Sequence, residues 1–412
     1  MKKFLGPFIF LISCLFLEPV SAGGFQVNLQ GQKQAGMGHC GTGSVTDAAG
    51  IFFNPGTISF LNTNSITAGV NLIFHKTQYL EPFPGIYTAE TKNTTGTPVN
   101  FYTVFKLLKN KKLVAGIGIN TPFGSKVMYE ENWKGQFLLR EIDLKTFFIQ
   151  PTLSYKITEK IGVGAGFVYS TGSMKLRKAI PAQFMNEQYG EGILQGDAKG
   201  TGFTLGLFIQ QTEKFSYGFS YRSSVKVKVK EGEADFTVPG SLSEYFPGTT
   251  FTTEIELPYV MNAGAGYKIS EKTKVVFDVN YVGWKSFDTL SFDFAENTEK
   301  LEDIHSARRY ENSFIFRAGV EYKWKENIFL RGGAYYDQTP VQDGYLTPET
   351  PDADKYVVTC GAGILVNKYF NADFSFLYVT TKKRSDTNLE TRFSGTWKTT
   401  SIIPGINLTL NF

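Results

Sequence analysis

The side chains able to do chemistry are few. Histidine occurs as His39, His75 and His305 and cysteine as Cys14, Cys40 and Cys360, too scattered in 412 residues for a metal cluster or a paired thiol site. No metal and no cofactor are expected. A serine and a histidine meeting across strands would supply a nucleophile and a base, but nothing in the spacing selects such a pair. Gly36-Met37-Gly38-His39-Cys40-Gly41 has the G-x-G-x-x-G spacing of a dinucleotide site. It follows the polar run Gln30-Gly31-Gln32-Lys33-Gln34, where that fold requires a buried strand, so it reads as a flexible, tightly packed backbone. Cys40 and Cys360 read as unpaired, although an oxidising compartment leaves pairing open.

The elements that must position these residues are not helices crossing a membrane. The chain carries 42 Gly, 37 Phe and 21 Tyr, yet its mean hydropathy is only -0.15. Past the N-terminus no apolar run approaches the roughly 18 residues a spanning helix needs. Net charge is +4, and the basic residues are spread out rather than clustered with stacking aromatics, which excludes a nucleic-acid partner. Residues 1–22 read as an export signal: Lys2 and Lys3, the apolar stretch Phe4 to Leu17, and the small-residue cleavage site Val20-Ser21-Ala22. The mature chain is then expected to begin at Gly23. A lipoprotein signal at Leu11-Ile12-Ser13-Cys14 is the competing reading, but Cys14 lies inside the apolar stretch and a better cleavage site follows it.

After a Gly-rich opening segment to about Leu61, the sequence alternates with the period of two that marks strands with one apolar face. Val275, Phe277, Val279 and Tyr281 alternate with Lys274, Asp278 and Asn280; Phe316, Ala318, Val320 and Tyr322 alternate with Arg317, Gly319, Glu321 and Lys323. Phe215, Tyr217, Phe219 and Tyr221 do the same and read as continuing on one face through Val225, Val227 and Val229. Such a strand would reach about 50 Å at about 3.3 Å per residue and project beyond a bilayer. Splitting at polar turns such as Asn110-Lys111-Lys112 and Ser270-Glu271-Lys272 gives about fourteen strands, an even number suited to a closed barrel. Longer stretches, 122–143, 180–199, 232–249, 287–309 and 339–354, are expected as extracellular loops. The last strand carries Ile402, Ile406, Leu408, Leu410 and Phe412 on one face, and a terminal Phe is what the barrel-assembly machinery reads.

Several ordered motifs resemble the long-chain fatty acid outer-membrane transporter family, the FadL and toluene-uptake group, over essentially the whole mature chain. They include Gly23-Gly24-Phe25-Gln26-Val27-Asn28, and Asn54-Pro55-Gly56, which departs from the family's Asn-Pro-Ala at its third residue. Thr121-Pro122-Phe123-Gly124 with Trp133 downstream, Gln150-Pro151-Thr152, Tyr281-Val282-Gly283-Trp284 and Arg331-Gly332-Gly333-Ala334-Tyr335-Tyr336-Asp337-Gln338-Thr339-Pro340 follow in order. The resemblance implies a transmembrane antiparallel barrel of fourteen strands, residues 63–412, plugged by an N-terminal hatch, residues 23–62. It implies a Gram-negative outer-membrane protein, not an enzyme, that takes up fatty acids or similar hydrophobic molecules passively and releases them sideways through the wall. Neutral aromatic hydrocarbons are the alternative cargo, and a membrane-embedded hydrolase a more distant one. The implied partners are the ligand, outer-membrane lipid with lipopolysaccharide, and the assembly machinery, with the chain a monomer.

Carried over by residue, Phe25 with Arg317 and Arg331 is expected at an internal ligand site, and Asn54, Pro55 and Gly56 shape the hatch. Trp133, Phe137, Leu138, Leu139, Phe184 and Met185 read either as loops packing on themselves or as a groove that captures ligand.

Overall fold

The computed structural model describes residues 23–107 and 112–412. The expected export signal and Cys14 lie outside the described residues, as do Asn110 and Lys111 of one expected turn.

Counting a strand and its continuation past a break as one, fourteen antiparallel strands close into a barrel. The first strand, Ser65–Asn71 continued by Ile73–Leu80, pairs on one side with the second (Val99–Lys106) and on the other with the last (Ser394–Asn411). Closure joins the first strand to the last and so leaves the sheet no free end, which hydrocarbon requires. Between them run the third (Leu113–Asn120), fourth (Glu141–Lys156), fifth (Ile161–Gln183) and sixth (Tyr189–Gln210) strands. The seventh (Phe215–Arg222, then Val225–Thr237), eighth (Thr249–Leu257, then Val260–Lys268), ninth (Thr273–Val282) and tenth (Ser313–Lys325) follow. Ile328–Asp337, Lys355–Leu365 and Phe370–Thr381 make the eleventh to thirteenth.

The alternation sorts the two faces. Phe277, Phe316 and Leu408 are exposed on the outside, while their strand neighbours Asp278, Arg317 and Asn407 are buried inside. The same rule puts Cys360 on the outer face, whereas Cys40 is buried in the hatch, and both thiols are free.

The seventh strand departs from its expected continuity. Phe215 and Phe219 face outward, but Val225, Val227 and Val229 are buried, with Lys226, Lys228 and Lys230 exposed instead. The switch falls at Ser223-Ser224. The pairing with the sixth strand advances by one residue across it, from Thr204↔Arg222 to Lys199↔Lys228. One extra residue flips the side chains that follow, as far as a second shift between Val229 and Gly232, so the apolar face turns from lipid to interior where the strand leaves the membrane. The eighth strand switches likewise at Pro258-Tyr259, with Met261 outside and Phe251 and Leu257 inside.

The expected loop at 180–199 is mostly strand. The fifth and sixth strands have 23 and 22 residues and turn at 184–188, so at about 3.3 Å per residue each spans about 70 Å and rises well above the membrane. The stretch 287–309 likewise contains short strands, Thr289–Phe294 and Ile304–Ala307.

The lumen is filled by the hatch. Its regular pieces are short, Gln32–Ala35, Gly50–Phe53 and a 3-10 turn at Pro55–Phe60, because its Gly-rich sequence offers no sustained helical face. Carbonyls that such short turns leave open are met by the wall. Gln150 donates to Ile51 O at 2.6 Å, Arg222 to Phe52 O at 2.8 Å, Ser220 to Phe53 O at 2.7 Å and Ser216 to Gly43 O at 2.7 Å. From the ninth strand, the Asp278 carboxylate accepts from Gly41 N at 2.8 Å and Thr42 N at 2.9 Å.

Candidate ligand-binding site

Above the hatch the barrel encloses a cavity of about 450 Å³. Its apolar lining comes from the hatch segment Phe25 to Leu29, Ile73, Val127, Leu144, Val379 and Ile403, and its polar lining from His75, Thr381, Thr399, Ser401, Asp337 and Lys355. Phe25 is held in place by edge contacts with Trp284 at 4.9 Å, Phe287 at 5.6 Å and Phe123 at 6.1 Å between ring centres.

The third strand breaks where the hatch meets it. Pro122 has no amide hydrogen to give a ladder, and here its carbonyl turns inward to accept from Val27 N at 2.8 Å, while Gly124 N donates to Phe25 O at 3.1 Å. Past the pair Asn100↔Asn120, the strand resumes as Gly124–Met128 and pairs with the fourth strand alone. The next tie on its other side is Lys92 N to Met128 O at 2.7 Å. Among the described residues no backbone hydrogen bond joins 93–98 to 121–127, and both stretches line the cavity. The wall thus carries an unpaired window beside the outward-facing Leu72, Phe74 and Val99.

Histidine and serine do meet here. His75 Nδ1 lies 3.3 Å from Ser401 Oγ, but its Nε2 faces Thr77 Oγ1 at 3.2 Å, where a hydrolytic triad would have a carboxylate. His39 lies in the hatch, 3.1 Å from Gln30 Oε1. Burial, with Arg317 and Arg222 nearby, holds it well below the usual histidine range and therefore neutral at pH 7.

The hatch motif is fully engaged. Asn54 Nδ2 donates to Thr42 O at 2.8 Å and to Leu207 O at 2.9 Å, and Asn54 Oδ1 accepts from Gly56 N at 3.0 Å across the Pro55 bend. Gly56, where the resemblance calls for Ala, faces the wall so closely that a Cβ would stand 2.7 Å from Gly162 O.

Phe25 lines the cavity; Arg317 and Arg331 do not. Arg317 lies behind Tyr335, its guanidinium 4.5 Å from that ring, and bonds to Asn280 and Asn28. Arg331 sits lower in the lumen, paired with Glu321 and Asp373 at 2.7 Å each. Lysines line the cavity instead, among them Lys355, 3.1 Å from Asp352, a residue that sequence reasoning passed over. Its signal was available: outward Tyr356 and Val358 put Lys355 and Val357 inside. Burial pushes the Asp352 carboxyl above the usual carboxylate range despite that lysine.

The six loop residues separate into two kinds. Trp133 and Leu139 are buried: the Trp133 indole donates to Leu139 O at 2.6 Å and stacks on Tyr129 at 3.9 Å, within a cluster that includes Tyr79, Phe393 and Trp397. Phe137 and Met185 are exposed and Leu138 and Phe184 half-buried, with Phe137 edge-on to Tyr189 at 4.9 Å beside the tall hairpin of the fifth and sixth strands.

A closed lipid-facing barrel, a bonded hatch and a partly apolar cavity above it are the architecture of an outer-membrane transport protein. Comparison with known proteins agrees. The family described as outer membrane protein transport protein (OMPP1/FadL/TodX) matches residues 15–412, and the chain belongs to it. A long-chain fatty acid transport protein of Salmonella typhi is 21% identical over 382 residues, covering 86% of this chain and 87% of its own. Among solved structures, a Pseudomonas aeruginosa FadL homologue superposes with a TM-score of 0.82 at 18% identity, covering 95% of this chain and 100% of its own. The P. putida toluene transporter TodX gives 0.71 at 17%, covering 95% and 99%. The protein resides in the Gram-negative outer membrane.

Proposed function

We propose that the protein takes up long-chain fatty acids or similar hydrophobic molecules without an energy source, holding them in the cavity above the hatch and releasing them sideways through the window. The observation that carries this reading is the continuity between the cavity and the unpaired stretches 93–98 and 121–127. An alkyl chain gains about 0.8 kcal/mol per methylene buried, enough to draw it from dilute solution. Leaving into the bilayer then costs little, because the chain passes from one apolar medium to another. The exposed Phe137 and Met185, with Leu138 and Phe184, serve as first contact. The Salmonella relative's name supports a fatty acid, whose head group would meet His75, Thr399, Ser401 and Lys355.

A second reading is a neutral hydrocarbon, as the name of the TodX neighbour suggests. It is favoured by the state of the lining lysines: Lys355 is paired with Asp352, and Lys126 and Lys145 both with Asp143. The deciding experiment is uptake of a radiolabelled long-chain fatty acid, and separately of toluene, by a transporter-deficient Gram-negative strain expressing the protein. Fatty-acid uptake that toluene does not compete away supports the first reading; toluene uptake alone supports the second. Uptake of neither by assembled protein removes both.

A further inference from the structure

The outer face of the fourth to seventh strands is hollowed where they rise above the lipid-facing aromatics. The hollow has a volume of about 1260 Å³, and its lining holds six lysines, Lys145, Lys175, Lys199, Lys226, Lys228 and Lys230, against four carboxylates. Three of these lysines face out because of the switch at Ser223-Ser224, past which Val225, Val227 and Val229 take the interior. The register then sets Lys199 of the sixth strand directly opposite Lys228 of the seventh. Like charges facing each other across two strands repel, so the pair costs the sheet stability. Lys226 and Lys228 reach Glu254 and Glu256 of the eighth strand, but pairs this exposed are screened and contribute little. Lys199 and Lys230 have no carboxylate within ion-pair distance among the described residues. The hollow also stands at a defined height. Outward Phe167 and Phe203 lie side by side, about half exposed; Tyr169 and Thr201 form the next outward row, and Thr171 with Lys199 the one above. Four residues from Phe203 to Lys199 make about 13 Å along the strand, or about 10 Å of height at a tilt of about 40°. The long hairpin of the fifth and sixth strands marks this end as the extracellular one. The lysines therefore stand where hydrocarbon gives way to the head groups of the outer leaflet.

We propose that this hollow binds a phosphate of lipopolysaccharide, the glycolipid whose phosphorylated glucosamine head group occupies that level of the outer leaflet. A phosphate seated between Lys199 and Lys228 turns their repulsion into two charge-assisted hydrogen bonds, and Lys226 and Lys230 flank it on the same strand face. The acyl chains then run down over Phe167 and Phe203, which already face lipid. Asp143 and Lys145 line both this hollow and the cavity above the hatch, so the bound glycolipid sits beside the window. The inference rests on the outer-membrane location, not on the identity of the cargo.

The test uses the protein purified from outer membranes into detergent with divalent cations chelated, titrated with bisphosphorylated lipid A and followed by native mass spectrometry. The expected result is one retained lipid A, bound about tenfold or more tightly than its dephosphorylated form or phosphatidylglycerol, and not displaced by excess inorganic phosphate. Lys199→Gln combined with Lys228→Gln should abolish that preference, whereas Lys160→Gln combined with Lys272→Gln, in short turns at the opposite end of the barrel, should leave it intact. The comparison of the two lipid A forms on the native protein stands alone if a variant does not assemble. Equal binding of the two forms, phosphatidylglycerol held as tightly, displacement by inorganic phosphate, or an unchanged preference in the assembled Lys199→Gln, Lys228→Gln variant would overturn the proposal.

Discussion

The Asn54 amide of the hatch donates to the Leu207 carbonyl of the sixth strand at 2.9 Å, joining plug to wall through a single side chain. It reaches that carbonyl because the seventh strand has Gly218 alongside, where a Cβ would stand 2.5 Å from Asn54 Nδ2. Asn54→Ala removes the partners of Thr42 O, Leu207 O and Gly56 N together. Each buried group left unpaired costs about 1–3 kcal/mol, so the hatch should loosen while the barrel still assembles. Single-channel recording in planar bilayers reads this directly: the variant should show ion-conducting events well above the native baseline. A silent variant would mean the motif is a simple turn.

Phe25→Ala opens the aromatic nest formed with Trp284, Phe287 and Phe123 at the base of the cavity. Losing a buried aromatic from such a nest costs roughly 3–5 kcal/mol of packing, part of which falls on the ligand. Affinity for a fluorescent fatty-acid analogue should fall tenfold or more with the barrel's heat-modifiable band unchanged. An unaltered affinity would place the ligand elsewhere.

Gly96→Phe narrows the window without crowding it, since a Cβ there would lie 3.4 Å from Ile73, an ordinary contact. Uptake should drop severalfold while equilibrium binding changes much less. Equal losses in both would argue that the window and the cavity are not separate steps.

Val227→Lys and Lys228→Val test the face switch of the seventh strand. Val227 is 4% exposed and its neighbour Lys228 lies open, so an unpaired charge is forced inside in the first case and an apolar side chain meets water in the second. Burying the lysine should cost several kcal/mol and sharply lower the yield of assembled barrel, whereas Lys228→Val should assemble as the native chain does. Similar yields would put the switch in the wrong place.

The barrel was legible in the sequence because alternation such as Phe277-Asp278-Val279-Asn280 is written locally and lipid permits no other solution. The switch at Ser223-Ser224 was not. Alternation of apolar and polar residues looks the same whichever face is buried, and an extra residue at a break shows only in the pairing with the neighbouring strand. Phe25 was readable through its motif. The fate of Arg317 and Arg331 was not, because an inward arginine can face a ligand or a carboxylate, and which one depends on residues such as Asp373 that lie 42 positions away.

The hatch is tied to the wall by contacts from several different strands, among them Gln150, Ser216, Ser220 and Asp278. Dislodging it in one piece would require all of these to fail together, whereas a cargo that follows the proposed sideways route above it would disturb none of them. On that route a bacterium would carry many copies of this protein without becoming more permeable to hydrophilic antibiotics, since cargo intake and leakiness would be set by different parts of the same molecule.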